Sequence, residues 1–116
     1  MSAKTKKILV VDDEQTILKI LKSIIERKGF KVKTANSGDL ALQALAKEKF
    51  GIIITDLKMP GIDGIKLLSE IKKISNESEV IIVTGHGTID SAVEAMQRGA
   101  FEYITKPINH DRLFLI

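Results

Sequence analysis

The chain has 116 residues and a formal net charge of +3, and 44% of its residues are hydrophobic against 28% charged. This length suits one domain, and the composition is that of an ordinary globular protein rather than a disordered chain. The lack of cysteine excludes disulfide scaffolds and thiolate metal sites, and no apolar run is long enough to span a bilayer.

Short runs rich in Ile and Val alternate with stretches whose apolar residues follow a helical spacing. In chain order, the predicted strands cover residues 8–11, 31–35, 52–54, 80–83 and 102–105. The apolar faces of the predicted helices are Ile17, Ile20, Leu21, Ile24 and Ile25 in the first, Leu40, Leu42, Leu45 and Ala46 in the second, Leu67, Leu68, Ile71 and Ile74 in the third, and Ile89, Val93 and Met96 in the fourth. Gly29 and Gly99 stand where the first and fourth helices should end. A fifth helix is predicted to begin near Asn109.

This alternation predicts an α/β fold with five βα units. Uninterrupted Ile and Val runs are typical of strands that helices cover on both faces, and therefore of a parallel sheet. Right-handed crossovers leave few topologies, of which the flavodoxin-like, doubly wound (βα)5 sheet with strand order 2-1-3-4-5 is the commonest at this size. We predict a single domain over residues 1–116. Because the last helix is apolar up to Ile116 and lacks a capping residue, we expect it to be truncated in a longer natural protein.

Polar residues follow four of the predicted strands, at the edge of the sheet where ligands bind in such folds. Asp12 and Asp13 follow the first strand, Asp56 the third, Thr84 the fourth and Lys106 the fifth. Strands 1 and 3 are neighbours in the predicted order, so the three carboxylates should converge. Such clusters usually persist by binding a cation or sharing a proton. Oxygen-only ligands indicate a hard ion, Mg²⁺ first and Mn²⁺ next.

Each of these residues also has a plainer interpretation when taken alone. Asp12 or Asp13 could cap the first helix, and Asp56 could be an ordinary loop residue. Thr84 could be a β-former or a helix cap, and Lys106 a solvated surface residue. Together, the five favour a metal with a phosphoryl group, because the cation and the ammonium neutralise charge while the hydroxyl donates a hydrogen bond.

Other site chemistries lack their sequence patterns. The turn after the first strand is not glycine-rich and no phosphate-binding G-x-x-x-x-G-K-[ST] loop occurs, which disfavours a dinucleotide or flavin site. There is no Ser-His-Asp set, so a carboxylate is the one plausible nucleophile. His86 lies between two glycines and is more typical of a loop side chain than of a catalyst.

Four segments resemble the receiver domain of two-component response regulators. They are ILVVDDE at 8–14, ITDLKMPGIDG at 54–64, IIVTGHGT at 81–88 and YITKPI at 103–108. The stretch GHGTIDSAVEAMQRGAFEYITKPI is similar to receivers of the nitrogen-regulation type. Those precede an ATPase domain, which acts on RNA polymerase carrying the alternative nitrogen sigma factor, and a DNA-binding helix-turn-helix. The resemblance implies a cytoplasmic phosphorelay switch for an output domain that is absent here, with a role in transcription regulation.

The resemblance implies a role for each residue of the metal site. Asp56 would accept a phosphoryl group from the histidine of a sensor kinase. Asp13, Asp56 and the backbone carbonyl of Lys58 would ligate Mg²⁺, with Asp12 acting through a bound water. Lys58 also occupies one of the two positions that tune the dephosphorylation rate in this family, and His86 occupies the other.

The remaining implied roles concern the switch. Lys106 would pair with the phosphoryl oxygens, and Thr84 would swing in to hydrogen-bond them. Tyr103 would turn inward together with Thr84, which would bias the face formed by helix 4, strand 5 and helix 5 and favour a homodimer through it. The pair Lys106-Pro107 matches the family's cis peptide, although a cis bond cannot be read from sequence.

Two functions of other classes remain as alternatives. Asp12, Glu14 and Thr16 faintly resemble the opening motif of haloacid-dehalogenase-type phosphatases, which would make Asp12 the nucleophile of a small Mg²⁺-dependent enzyme. Glu14 stands where that motif has Asp, and such enzymes are usually longer. A basic nucleic-acid module has weak support, because the charge is only +3, aromatic residues are 4% of the chain and no helix is strongly basic. We therefore expect a phosphoacceptor domain that is not an enzyme, without direct contact to nucleic acid or membrane.

Overall fold

The computed structural model describes residues 7–57, 59, 61–75, 77–84 and 89–105. In chain order the elements are β1 (Lys7–Val11), α1 (Gln15–Arg27), β2 (Lys31–Ala35), α2 (Gly38–Lys47), β3 (Ile52–Thr55), α3 (Gly64–Ile74), β4 (Glu79–Thr84), α4 (Ile89–Gln97) and β5 (Glu102–Thr105). Every strand and helix predicted within these ranges is present, with ends that differ by a residue or two. No helix in the described part of the chain is long and apolar enough to cross a lipid bilayer. The fifth helix predicted near Asn109 lies outside the described residues.

The strands form one parallel sheet in the order β2-β1-β3-β4-β5. This is the predicted flavodoxin-like order, in which the first strand pairs with the second on one side and with the third on the other. Val11 of β1 is level with Thr55 of β3, and Thr55 is level with Ile82 of β4. The carboxyl ends of these three strands therefore lie at one edge of the sheet.

Both faces of the sheet are covered, as the uninterrupted apolar runs predicted. Alternate residues of β1, such as Leu9 and Val10, enter different core clusters because successive side chains of a strand point to opposite faces. One cluster packs against α2, α3 and α4, and the other against α1. Each large aliphatic side chain that is fully buried contributes about 1.5–3 kcal/mol to folding, so these two layers hold the sheet edge in place.

The predicted helix faces are partly wrong. Residues of those faces that are exposed instead are Ile20, Leu40, Ala46, Ile74, Val93 and Met96. Smaller or neighbouring residues take their place in the core, including Leu18 of α1, Ala41 of α2 and Ala95 of α4. Each residue turns a helix by about 100°, so Ile20 lies on the far side of α1 from Leu18. The predicted faces left out Ala41, Ala44 and Ala95, all of which are buried.

The helix ends follow local sequence signals. Gly29 and Gly99 have φ angles of 96° and 103°, which are left-handed values that glycine adopts without strain. Ser37 Oγ accepts the amide of Leu40 at 3.2 Å and so caps α2. Asp63 Oδ1 accepts the amide of Lys66 at 2.9 Å and caps α3. The cap at Asp63 fixes the start of the helix that follows the loop after β3.

Candidate functional site

Three carboxylates meet at the carboxyl edge of the sheet. Asp12, Asp13 and Asp56 each offer an oxygen, and these oxygens all lie within 4.8 Å of one another. Asp12 and Asp56 are buried, with 3% and 4% of their surface exposed, whereas Asp13 is exposed. They come together because β1 and β3 are paired and end at the same level. The structure thus brings together the three acidic residues that the sequence placed at this edge.

The backbone around Asp56 holds its side chain in one orientation. The Asp56 amide donates to the carbonyl of Val11 at 3.0 Å, which continues the pairing with β1 by one residue. Asp56 Oδ1 accepts the amide of Leu57 at 2.7 Å, and the Thr55 hydroxyl donates to the Asp56 carbonyl at 3.0 Å. The carboxylate is therefore fixed relative to the sheet edge.

Asp12 combines a structural contact with its place in the cluster. Its Oδ1 accepts the amide of Glu14 at 3.0 Å, and Glu14 is the N-cap residue of α1. Asp12 therefore contacts the residue that begins α1 but does not cap the helix, because Glu14 is the N-cap residue and its side chain makes no capping hydrogen bond there. This contact and a place in the cluster are compatible, because an ionised carboxylate has two oxygens and can accept several hydrogen bonds.

The geometry and donor chemistry of the cluster fit a hard divalent cation. The spacing of 4.8 Å or less compares with the about 4–5 Å between opposite oxygen ligands of one Mg²⁺ or Ca²⁺, from bond lengths of about 2.0–2.6 Å. All three donors are carboxylate oxygens, which such ions prefer to nitrogen or sulfur. Without a cation, two buried carboxylates beside a third repel one another, so a bound ion would stabilise this edge.

Thr84 and Tyr103 lie on the α4-side face of the sheet. Thr84 is the last residue of β4 and is fully buried. It lies two residues beyond Ile82, which belongs to the core cluster on that face and pairs with Tyr103 of β5. The half-buried Tyr103 packs against the same cluster, and side chains two residues apart on a strand share a face. The two residues predicted to move together thus share a face at the site's edge.

The structure adds a partner for Tyr103 that sequence analysis missed. The hydroxyl of Tyr103 lies 3.1 Å from the hydroxyl of Ser91 on α4. A serine near the start of a helix is ordinarily interpreted as part of its capping or as a solvated residue. No sequence pattern distinguishes that interpretation from a contact with a strand that follows twelve residues later.

Gly64 was also missed as a residue of the site. Its amide donates to the carbonyl of Leu57 at 2.6 Å, which closes the loop that follows Asp56. A Cβ at this position would lie 2.8 Å from the Leu57 Cα and would collide with the Asp56 carbonyl oxygen. The only sequence signal is a glycine directly after a capping residue, which is common at helix starts.

The other predicted site residues lie outside the described part of the chain. They are Lys58, His86 and Lys106, together with Pro107 of the expected cis pair. Their proposed roles in metal ligation, dephosphorylation rate and phosphoryl binding stay predictions.

Comparison with known families identifies the domain. The family model for the response regulator receiver domain matches residues 8–116. The chain belongs to this family. The receiver domain accounts for the βα alternation and for the acidic edge of the sheet.

Curated relatives of the receiver domain are transcriptional regulators. GlrR of Escherichia coli, a transcriptional regulatory protein, is 42% identical over 114 residues, which are 98% of this chain and 26% of GlrR. NtrX of Azorhizobium caulinodans, a nitrogen assimilation regulatory protein, is 40% identical over 111 residues, 94% of this chain and 24% of NtrX. The resemblance to nitrogen-regulation receivers is thereby confirmed. This chain spans about a quarter of the length of these curated relatives.

Solved receiver structures share the fold throughout. A receiver domain protein from Clostridium thermocellum is 45% identical with a TM-score of 0.90, covering 95% of this chain and 89% of its own. The beryllofluoride-activated NtrC4 receiver domain dimer is 39% identical with a TM-score of 0.90, covering 96% and 92%. A Burkholderia pseudomallei response regulator with a phosphorylated aspartic acid, a calcium ion and citrate is 31% identical with a TM-score of 0.89, covering 94% and 64%. The predicted strand order and fold class are confirmed.

Proposed function

We propose that this receiver domain is a phosphorylation-activated switch in which Asp56 accepts a phosphoryl group from a sensor histidine kinase. The observation that most directly supports this proposal is the environment of Asp56. Its carboxylate is buried, is oriented by a hydrogen bond, and has oxygens of Asp12 and Asp13 within 4.8 Å. The Burkholderia relative with its phosphorylated aspartic acid supports a carboxylate as the acceptor. In the reaction, an oxygen of Asp56 forms the new P–O bond. The P–N bond to the kinase histidine breaks, and its electron pair returns to the imidazole nitrogen, which takes a proton from water.

The acidic cluster supports a requirement for Mg²⁺, with Mn²⁺ as a substitute. Asp13 and Asp56 would ligate the ion directly together with the backbone carbonyl of Lys58, and Asp12 would act through a water. Bound there, the ion supplies positive charge that offsets the carboxylates and the incoming phosphoryl oxygens. The calcium ion of the Burkholderia relative supports this assignment, because Ca²⁺ shares the preference for oxygen ligands.

Phosphorylation would change the conformation of the face formed by α4, β5 and the predicted fifth helix, and partners would bind that face. Lys106 would pair with the phosphoryl oxygens, and Thr84 would gain a hydrogen bond available only in the phosphorylated state. A contact that exists in one state alone shifts a two-state equilibrium toward that state. Tyr103 shares a face with Thr84 and bonds to α4, so movement of Thr84 reaches that helix. Lys58 and His86 would set the rate at which the phosphoryl group is lost.

Exposed apolar side chains support a homodimer through that same face. Val93 and Met96 of α4 and Phe101 before β5 are each 45–50% exposed. Burying such side chains against a second copy is favourable, and the NtrC4 relative is a receiver domain dimer. The face would then control an output domain elsewhere in a longer cytoplasmic transcriptional regulator, as in relatives four times the length of this chain. Residues 1–116 would form the single receiver domain of this regulator. The domain would not act as an enzyme on a separate substrate.

Mapping the modified residue tests this function. The protein is incubated with acetyl phosphate and Mg²⁺ and the adduct is located by mass spectrometry. We expect one phosphoryl group on Asp56, lost in Asp56→Asn and kept in Asp39→Asn, whose carboxylate is exposed at the start of α2. An adduct on Asp12, with rapid turnover blocked by Asp12→Asn, would instead support the dehalogenase-type phosphatase and overturn the switch.

A further inference from the structure

Gly64 packs closely against the peptide unit between Asp56 and Leu57, which orients the Asp56 side chain. A Cβ at Gly64 would lie 2.8 Å from the Leu57 Cα and would collide with the Asp56 carbonyl oxygen. The same peptide unit carries the Leu57 amide, which donates to Asp56 Oδ1 at 2.7 Å. The first residue of α3 therefore packs against the backbone whose N–H group holds the carboxylate.

A second glycine, at the start of α2, packs against another residue of this loop. A Cβ at Gly38, the first residue of α2, would lie 2.9 Å from the Cβ of Ile62 and 3.1 Å from its carbonyl oxygen. Ile62 is half-buried against the core and stands two residues before Gly64. Two described residues of the stretch between Asp56 and Gly64 thus pack against helix starts, Leu57 against that of α3 and Ile62 against that of α2.

The need for glycine at these positions is one of space rather than of backbone conformation. Neither Gly38 nor Gly64 has a positive φ, in contrast to Gly61 in the same loop at 79°. Alanine is also a better helix former than glycine, so helix propensity alone predicts that alanine at either position would be favourable. Any loss on substitution must come from the displaced loop.

We propose that Gly38 and Gly64 are positioning residues for phosphorylation of Asp56, because their lack of a side chain lets two helix starts hold the loop that orients its carboxylate. This inference rests on the proposed function. In-line transfer requires the attacking oxygen close to phosphorus and correctly aligned, and a displacement of about 1 Å can slow a reaction about 100-fold. A Cβ at Gly64 would meet only main-chain atoms of Asp56 and Leu57, and a Cβ at Gly38 would meet the Cβ, the carbonyl oxygen and the Cγ2 of Ile62. The backbone at Leu57 or at Ile62 must therefore shift to make room.

The test measures the phosphorylation rate with acetyl phosphate and saturating Mg²⁺ across the donor concentration range. For Gly64→Ala we expect the maximal rate to fall about 10- to 100-fold, with the donor concentration at half-maximal rate little changed. Gly38→Ala should show a smaller loss. Combining it with Ile62→Gly should restore part of the rate, because the Cβ at 2.9 Å is removed while the carbonyl oxygen at 3.1 Å stays. The ¹⁵N–¹H signal of Leu57 should shift in each slowed variant and return in part in the double variant.

Gly61→Asn is the matched control, since it lies in the same loop with no atom within 4 Å of the added Cβ and Asn tolerates positive φ. It should react like the wild type. If the wild type is phosphorylated on Asp56 and Gly38→Ala and Gly64→Ala react at its rate, the positioning role is wrong and the proposed function stands. If the wild type is not phosphorylated on Asp56, the proposed function itself fails. If Gly64→Ala does not fold, Gly38→Ala decides: a rate equal to that of the wild type overturns the inference, as does a slowed rate with an unshifted Leu57 signal.

Discussion

The hydroxyl oxygens of Ser91 on α4 and Tyr103 on β5 lie 3.1 Å apart, in a partly buried hydrogen bond that joins the helix to the strand. Tyr103 pairs with Ile82 of β4, two residues before Thr84. The bond therefore connects α4 to Tyr103, whose side chain lies on the same face of the sheet as Thr84. In the proposed switch, this bond would pass movement of Thr84 to α4.

This bond predicts strong coupling between two substitutions. Ser91→Ala and Tyr103→Phe each remove one hydroxyl, so each should lower the free energy of unfolding by about 0.5–1.5 kcal/mol. The loss in the double variant should be smaller than the sum of the two single losses, because the shared bond is lost only once. Urea denaturation of the four proteins measures this, with Ser23→Ala on the exposed side of α1 as control. Fully additive losses would mean that the two hydroxyls do not stabilise each other.

Thr84 should be required for the response rather than for the chemistry. Thr84→Ala should still be phosphorylated on Asp56 by acetyl phosphate but should no longer dimerise on phosphorylation, because the hydroxyl that would bond the phosphoryl oxygens is gone. Thr84→Ser keeps that hydroxyl and should retain much of the response. Sedimentation velocity with and without the phosphodonor measures the dimer. A Thr84→Ala protein that dimerises like the wild type would contradict the coupling.

Removal of one acidic ligand should weaken metal binding without unfolding the protein. Asp13 is the exposed member of the cluster, so Asp13→Asn should fold normally. Its affinity for Mg²⁺, measured by isothermal titration calorimetry, should fall at least about tenfold, since even indirect changes at metal sites cost this much. Mg²⁺ should also raise the melting temperature of the wild type more than that of the variant. Asp39→Asn, away from the cluster, should bind Mg²⁺ like the wild type.

A pH-dependent contribution to stability is expected at the opposite edge of the sheet. The Lys7 ammonium donates to the Glu48 carboxylate at 2.7 Å and, with Lys33 at 3.7 Å, holds the pKa of Glu48 below its usual 4.5. A lowered pKa in the folded state means that this stabilisation is complete above 4.5. It is lost as the pH falls through the folded-state value.

Glu48→Gln should therefore be slightly less stable than the wild type at pH 7, and the difference should disappear in acid. The effect should be small, because the pair is only partly buried and is screened by salt. Urea denaturation at pH 7 and in acid measures this difference in the free energy of unfolding. The control is Glu26→Gln, which changes an exposed residue of α1. A difference that persists unchanged in acid would rule out the ion pair as its source.

Local sequence was sufficient for the order of elements and for the acidic edge. The Ile and Val runs predicted the strands because a strand covered on both faces must be apolar along its length. Gly29 and Gly99 marked helix ends because they stand where the chain needs positive φ. Asp12 and Asp56 could be placed together from sequence because parallel strands that are neighbours end at the same edge.

The sequence by itself thus determined the order of elements and the family, because these depend on periodicity and on motifs that are read along the chain. It favoured the strand order as the commonest of a few topologies, and the sheet pairing then confirmed that order. Only the tertiary structure decided which side of each helix is buried. The orientation of α1 about its axis, for example, leaves Ile20 exposed and Leu18 buried. The same is true of contacts between distant segments. Two such contacts are the hydrogen bond between Ser91 and Tyr103 and the close packing of Gly38 against Ile62. Both depend on how the helices pack in the folded domain. Packing sets those distances, and no local pattern encodes them.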